Sequence, residues 1–478
     1  MIRKTILCLS FMASTAMAQD FTVPRHLATE WSPFTLEEMQ GEVRIPVLFL
    51  NFEQDNNDTQ RAVSATQQES WMEHLNERDN DNHMGEDGSV NDYFLAQSYG
   101  KMNVVFENVG SYTASGKGAN YTDYTEDAKL VAKAVKSLTD VDWSRYDRNG
   151  DKDVDCLLVI FAGHADGDYN TARRAVTSMY PHQNWLTNRG QQKADVGEGY
   201  KVQTYVLANN LRDSSASVDA INTVCHELSH GIFDLPDYYK NGVSYMGQYD
   251  AMCYGMRQTG YGAKGNHCCE FTSFNRMFLG WLTPAVLTDP CHVVLRPLSK
   301  NEDACIVTDP ADATHFYMLE NRAKLDDSWD KNLPAGGLVV IEIKFNRGSF
   351  ESHTVNNGPR KHVALVSAAT NKPVAYQQST YYNNDQSVVP FGINGHNEIP
   401  SAVNSIFATK TVTNITVNAD GTVEFDFMGG GETIDLGIER NTLQEKDSQS
   451  LCDLSGCVLP SEPRTGVYIK GGKKYLVK

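Results

Sequence analysis

Residues 221–239 read INTVCHELSHGIFDLPDYY, a stretch that combines a helical pattern with a proline turn. Apolar residues recur there at intervals of three and four positions, at Ile221, Val224, Cys225, Leu228 and Ile232. This spacing predicts an amphipathic helix with one buried face. The helix has to end before Pro236, because a proline ring removes a backbone donor and clashes with the preceding turn.

The segments that precede this helix predict a mixed α/β fold around it. Residues 43–52 and 154–162 are nearly continuous in apolar side chains, as expected of strands that are covered on both faces. Residues 128–138 have helical periodicity. The alternation predicts one α/β domain over residues 43–290, with a mixed, twisted sheet.

The chain changes character after residue 290. Short β-rich runs are separated there by Gly, Pro and Asn turns, and no amphipathic helix stands out. We therefore expect a mostly β domain, arranged as a sandwich, over residues 291–428. Residues 429–478 are expected to form a linker and a small β tail, which resembles C-terminal modules of secreted bacterial proteins, some of them sorting signals.

The N-terminus has the pattern of a secretory signal peptide over residues 1–18. Arg3 and Lys4 precede a short apolar run, and Ala16 and Ala18 form a small-x-small cleavage site. No other stretch reaches the roughly 18 apolar residues of a transmembrane helix. We expect an exported protein in the medium, on the cell surface or in the periplasm, with residues 19–42 as a short N-terminal segment or pro-segment.

The charge balance bears on the class of binding partner, and the number of cysteines bears on the disulfide bonds. The 478 residues include 42 basic and 60 acidic side chains, for a formal net charge of −18. This balance argues against nucleic acid as a partner, because phosphate contacts need clustered Lys and Arg. Loss of the signal peptide leaves an odd number of cysteines, among which Cys291–Cys305 and Cys452–Cys457 are plausible disulfides.

The predicted helix carries the motif H-E-x-x-H. Side chains four residues apart are neighbours on a helix, so that His226 and His230 can bind one zinc ion. Glu227 lies where a carboxylate can take a proton from a water molecule at the metal. A catalytic zinc has three protein ligands, and the third has to come from beyond the helix. Asp237 is the preferred candidate and Asp234 is the alternative.

These residues resemble the immune inhibitor A family of secreted zinc metallopeptidases. Further segments carry the resemblance, namely GSVNDYF at 88–94, SYGK at 98–101, YDAM at 249–252, FLGWL at 278–282, LENR at 319–322 and LPAGGL at 333–338. It spans about residues 41–428. The resemblance implies a zincin-like catalytic domain, protein or peptide substrates and an aspartate, here Asp237, as the third zinc ligand.

The chain departs from the family pattern near this aspartate. One residue more than usual separates His230 from Asp237, and Phe233 stands near the usual glycine. Beyond the motif, Met252 is expected to form a hydrophobic floor under the metal. Tyr254, two residues later, is a candidate hydrogen-bond donor to the developing oxyanion, with a packed core tyrosine as the alternative.

A second metal site is predicted in the acidic loop, which we define as residues 147–155. Oxygen-bearing side chains alternate along it at Asp147, Asn149, Asp151, Asp153 and Asp155. Calcium prefers six to eight such hard oxygens. A polar turn that uses Asp and Asn for its own hydrogen bonds is the alternative interpretation. His164, His182 and His267 are expected to be ordinary histidines.

Two functions from different classes are compatible with these features, and the motif alone also allows a zinc hydrolase that acts on a non-peptide bond. The first is an exported zinc endopeptidase in which Glu227 is the general base. The second is a surface binding or adhesion protein that retains a vestigial metallopeptidase domain. Intact His226, Glu227 and His230 favour the first.

Overall fold

The computed structural model describes residues 39–54, 61–78, 88–165, 179–211, 221–257, 268–377, 386–436, 451–452, 466–470 and 473–477. The predicted signal peptide, most of the segment at 19–42, His267 and Cys457 lie outside these residues.

Six α-helices lie within the described residues, namely α1 (Ala65–Asn76), α2 (Val90–Gln97), α3 (Tyr124–Lys136), α4 (Ile221–Phe233), α5 (Ser273–Phe278) and α6 (Arg347–Glu351). The strands up to residue 290 are β1 (Gly41–Phe52), β2 (Met102–Ala114), β3 (Asp153–Val154), β4 (Leu157–Phe161), β5 (His182–Trp185), β6 (Ala194–Gly197), β7 (Tyr200–Val202), β8 (Thr204–Asn209), β9 (Tyr239–Lys240), β10 (Val243–Ser244) and β11 (Ala285–Val286). The later strands are β12 (Cys291–Leu295), β13 (Ala304–Asp309), β14 (Asp312–Arg322), β15 (Gly337–Lys344), β16 (Val363–Ser367), β17 (Lys372–Pro373), β18 (Tyr376–Gln377), β19 (Val412–Val417), β20 (Val423–Phe427), β21 (Thr433–Asp435), β22 (Leu451–Cys452), β23 (Gly466–Lys470) and β24 (Lys473–Val477).

A five-stranded mixed sheet organises the first part of the chain. Its strand order is β2-β1-β4-β8-β5, in which the first four strands are parallel and β5 is antiparallel at the edge. All five residues of β4 are buried, because side chains from both faces of the sheet lie under helices or loops. The predicted mixed α/β class is therefore confirmed, whereas the zincin-like fold itself stays a prediction.

Helix α4 packs against β8 and β5. Gly231 makes this approach close, since an added Cβ atom would lie 3.1 Å from Val206 of β8 and 3.7 Å from Gln183 of β5. The predicted apolar stripe of α4 is buried, including Val224, Leu228 and Ile232. The packing places Gly231 and Glu227 of α4 against the edge strand β5.

A six-stranded sheet, ordered β11-β13-β14-β15-β16-β17, dominates the second part of the chain. Side chains on one face, such as Phe316 and Ile341, belong to the hydrophobic core that contains α4. Those on the other face, such as Tyr317 and Val340, join a second core with the four-stranded sheet β19-β20-β12-β21. The first core therefore continues past residue 290; the domain boundary and the sandwich stay predictions.

A buried network of charges connects β14 to residues 249–252. Arg322 is fully buried and donates two hydrogen bonds to Asp330, at 2.5 and 2.6 Å. It also donates to Glu320, at 3.0 Å, and to the Tyr249 carbonyl oxygen, at 2.7 Å. The hydrogen bond to the Tyr249 carbonyl oxygen therefore fixes the backbone at the start of residues 249–252.

Two further expectations concern the cysteines and the membrane. Cys291 and Cys305 are free thiols, so the expected disulfide between them is absent; they lie in β12 and β13, which belong to different sheets. Among the described residues, no helix combines the length and the hydrophobicity that a membrane crossing requires.

Candidate metal centre

Helix α4 places two histidines on successive turns, both of them buried. The exposed fraction is 1% for His226 and 8% for His230. Their Nε2 atoms lie 3.3 Å apart. Nothing in the helix alone fixes the ring orientations, which come from carbonyl groups that lie outside α4.

Each imidazole is oriented through its other nitrogen. His226 Nδ1 donates to the Ala251 carbonyl oxygen at 2.8 Å, and His230 Nδ1 donates to that of Leu235. A carbonyl oxygen only accepts, so the proton lies on Nδ1 in both rings. The two Nε2 atoms are then the ones that can bind a further proton or a metal ion.

Asp237 completes a triangle with these two atoms. The turn through Pro236 brings its Oδ1 atom to 3.2 Å from His226 Nε2 and 3.4 Å from His230 Nε2. Asp237 Oδ1 is itself buried and has no hydrogen-bond donor. Three side-chain atoms that can each offer a lone pair to a metal ion therefore converge on one point.

The size of this triangle fits a tetrahedral zinc ion. Ligand atoms about 2.0–2.2 Å from zinc in a tetrahedron lie roughly 3.3–3.6 Å from one another. The three observed separations span 3.2 to 3.4 Å. His226, Glu227 and His230 also each offer one ligand atom, and these three atoms lie within 4.8 Å of one another.

Charges around the centre favour a cation. Burial would lower the pKa of His226, but Asp237 and the Glu227 carboxylate outweigh it and raise that pKa to about 9. Burial would raise the pKa of Asp237, but the two imidazoles hold it well below its usual range. The carboxylates beside the two imidazoles therefore favour a positive charge at the centre, and a divalent ion would compete with protons for the same electron pairs.

Glu227 is held beside the triangle by the edge strand. Its Oε2 atom accepts a hydrogen bond from the Gln183 backbone amide of β5 at 2.8 Å. Burial raises the pKa of Glu227 above its ordinary value, despite the opposing effect of the nearby histidines. A raised pKa suits a carboxylate that has to take up a proton and release it again near neutral pH.

The other candidate ligand, Asp234, faces a different partner. Its Oδ1 atom accepts a hydrogen bond from His353 Nε2 at 2.8 Å. Asp234 has a backbone φ of 53°, and this left-handed conformation turns the chain before Asp237. The structure thus places Asp237, rather than Asp234, against both histidines.

Two tyrosines form a stack over His226. The Tyr239 ring lies 6.3 Å from the His226 ring at 25°, and Tyr254 stacks on Tyr239 at 5.5 Å. Tyr254 is therefore separated from His226 by one ring, and its predicted oxyanion role stays a prediction. Burial, with added effects of Asp237 and Glu227, raises the pKa of Tyr239 well above its usual value. Sequence reasoning missed Tyr239, although it follows Asp237 by only two residues.

The acidic loop uses most of its oxygens for its own backbone. Asp147 accepts hydrogen bonds from the amides of Gly150, Asp151 and Lys152. Asp151 accepts from the Asp153 amide, and Asp153 pairs with Lys193. Asn149 accepts from the Asp151 amide.

Asp155 differs from the rest of the acidic loop because it is only 4% exposed. Burial, followed by the nearby Asp147 and Asp151 carboxylates, raises its pKa to about 8. The hydrogen bonds within the acidic loop are those of a polar turn. The calcium ion stays a prediction.

A cleft of about 260 Å³ separates the acidic loop from α4. Its lining includes Asp151, Asp153 and Asp155 of the acidic loop together with Trp185, His230 and Asp234. His182 and His164 are both buried. The His182 imidazole faces Asp127, 3.5 Å away, and belongs to a separate cluster.

Comparison with protein-family models and with curated proteins found no match for this chain. The resemblance to the immune inhibitor A family therefore stays a prediction. The proposed function rests on the geometry of the site.

Proposed function

We propose that this chain is an exported zinc-dependent endopeptidase of the immune inhibitor A type. The observation that carries the proposal is the triangle of His226 Nε2, His230 Nε2 and Asp237 Oδ1, with edges of 3.2–3.4 Å. Glu227 lies directly beside it, tied to β5. Two imidazoles and one carboxylate are a ligand set typical of catalytic zinc.

Zinc bound by these three side chains would act as a Lewis acid on the scissile carbonyl and would make a water molecule more acidic. The remaining work falls to residues of the chain. Glu227 accepts a proton as the water oxygen bonds to the carbonyl carbon. It then gives that proton to the amine as the carbon–nitrogen bond breaks. The Gln183 amide holds the carboxylate in place for both transfers.

The edge strand supports an extended peptide as the substrate. β5 lies at the end of the five-stranded sheet, and its Gln183 amide already reaches Glu227. An extended chain can add to such an edge through main-chain hydrogen bonds, which bind peptides of varied sequence. A peptide bound along β5 would bring a backbone carbonyl close to the general base.

Metal removal and return distinguish this proposal from a surface binding protein with a vestigial site. We expect the purified protein to hydrolyse casein, a strong chelator to abolish hydrolysis, and one equivalent of zinc to restore it. Restoration by calcium alone would contradict the assignment of the metal. Zinc binding without hydrolysis of any protein substrate would instead favour the binding role.

A further inference from the structure

A histidine from the β-rich part of the chain reaches the candidate metal centre. His353 lies just after α6, and its Nε2 atom hydrogen-bonds Asp234 Oδ1 at 2.8 Å. Its ring centre lies 6.1 Å from that of His230 and 5.8 Å from that of Trp185 in β5. His353 thus contacts three residues that line the cleft beside α4.

Both partners of this hydrogen bond have left-handed backbones. The φ angle is 53° at Asp234 and 51° at His353. Left-handed conformations disfavour side chains with a Cβ atom, so the surrounding contacts must hold them. The Asp234–His353 hydrogen bond connects the two strained positions directly.

The turn that begins at Asp234 supplies two groups to the centre. The Asp234 amide donates to the His230 carbonyl oxygen at 3.0 Å, which closes the last turn of α4. The next residue, Leu235, offers the carbonyl that orients His230, and Asp237 follows after the proline. Any change in the backbone at Asp234 would therefore displace both the second imidazole and the third candidate ligand.

We propose that His353 is a positioning residue of the metal centre. Its hydrogen bond fixes Asp234 in the left-handed conformation, and the turn at residues 234–237 then presents the Leu235 carbonyl and Asp237 to the two histidines. This inference rests on the proposed zinc site. It also makes the segment around residue 353 a part of the active centre, although it lies far beyond α4 in sequence.

Two variants remove the hydrogen bond while keeping residues that tolerate left-handed backbones. His353→Asn shortens the side chain so that it no longer reaches Asp234, and Asp234→Gly removes the acceptor and leaves a residue that adopts positive and negative φ about equally, so that the turn is no longer fixed. The matched control is His292→Asn, which breaks another histidine–aspartate pair, with Asp426 in the distant four-stranded sheet.

Zinc affinity is the first readout, measured by chelator competition. We expect both variants to raise the zinc dissociation constant by about 10–100-fold, the usual cost of losing a partner behind a metal ligand. The double variant should bind zinc about as weakly as either single one, because both changes remove the same hydrogen bond. The control should bind zinc as the parent protein does.

Hydrogen exchange in the metal-free protein is the second readout and separates the two proposals. Peptides that cover residues 229–238 should exchange faster in His353→Asn, while the α1 peptides stay unchanged. Unaltered exchange in this segment would overturn the positioning role, whether or not zinc binds. Failure of the parent protein to bind zinc would instead contradict the proposed function, and exchange would still decide the role of His353.

Discussion

Replacement of Glu227 by glutamine is expected to lower the turnover number by about 10²–10⁴-fold and to leave zinc binding intact. Glutamine has the shape of glutamate and can still accept the hydrogen bond from the Gln183 amide through its carbonyl oxygen. It cannot take a proton from water, so the chemical step loses its base. The loss should appear in kcat, with little change in KM.

Zinc content and folding have to be measured alongside this loss. We expect the variant to bind one zinc ion per chain and to unfold at the temperature of the parent protein. Glu73→Gln is a suitable control, because Glu73 lies exposed on α1, away from the centre. A Glu227→Gln protein with full activity would show that another group accepts the proton.

Replacement of Arg322 by leucine is expected to lower the free energy of unfolding by about 3–5 kcal/mol. The guanidinium group is fully buried and forms hydrogen bonds with the carboxylates of Asp330 and Glu320, which are also buried. Leucine would leave these two carboxylates without their cation. It would also release the Tyr249 carbonyl oxygen, two residues before the carbonyl that orients His226.

Urea denaturation measures this cost, with an exposed ion pair for comparison. Arg360 and Asp312 are 3.5 Å apart and largely exposed, so Arg360→Leu should cost less than about 1 kcal/mol. A double variant, Arg322→Leu with Asp330→Asn, should recover part of the lost stability because it removes one of the unpaired charges. Equal effects of Arg322→Leu and Arg360→Leu would contradict the role given to the buried network.

Local patterns in the sequence were enough to predict the helix that carries the two histidines and the central strand β4. The apolar run at residues 154–162 contains β4, and the apolar spacing from Ile221 predicts α4. In both cases the pattern reflects burial of neighbouring residues, which a single segment reveals. The two histidines follow from the same helix, since a spacing of four residues places them on one face.

The third candidate ligand could not be assigned from local patterns in this way. The spacing left both Asp234 and Asp237 open, and the choice depends on the left-handed backbone at Asp234 and on its contact with His353. Groups from distant parts of the chain also orient the site, such as the Ala251 carbonyl and the Gln183 amide. Their contacts with α4 could not be predicted from local sequence patterns. Only tertiary packing brings them to α4.

The acidic loop shows a different limit of the sequence. Alternating Asp and Asn side chains are equally suited to binding a cation and to accepting hydrogen bonds from their own backbone. In the structure, the Asp147 carboxylate by itself accepts hydrogen bonds from three backbone amides. Residue types therefore could not distinguish the two interpretations, because both use the same oxygen atoms.

Anomalous diffraction at the zinc absorption edge, from crystals of the protein purified with zinc, tests the central claim most directly. We expect one strong peak bound by His226 Nε2, His230 Nε2 and Asp237 Oδ1, with Asp234 still hydrogen-bonded to His353. A crystal that contains zinc elsewhere, or none between these three atoms, would contradict the assignment of a catalytic zinc centre to this chain.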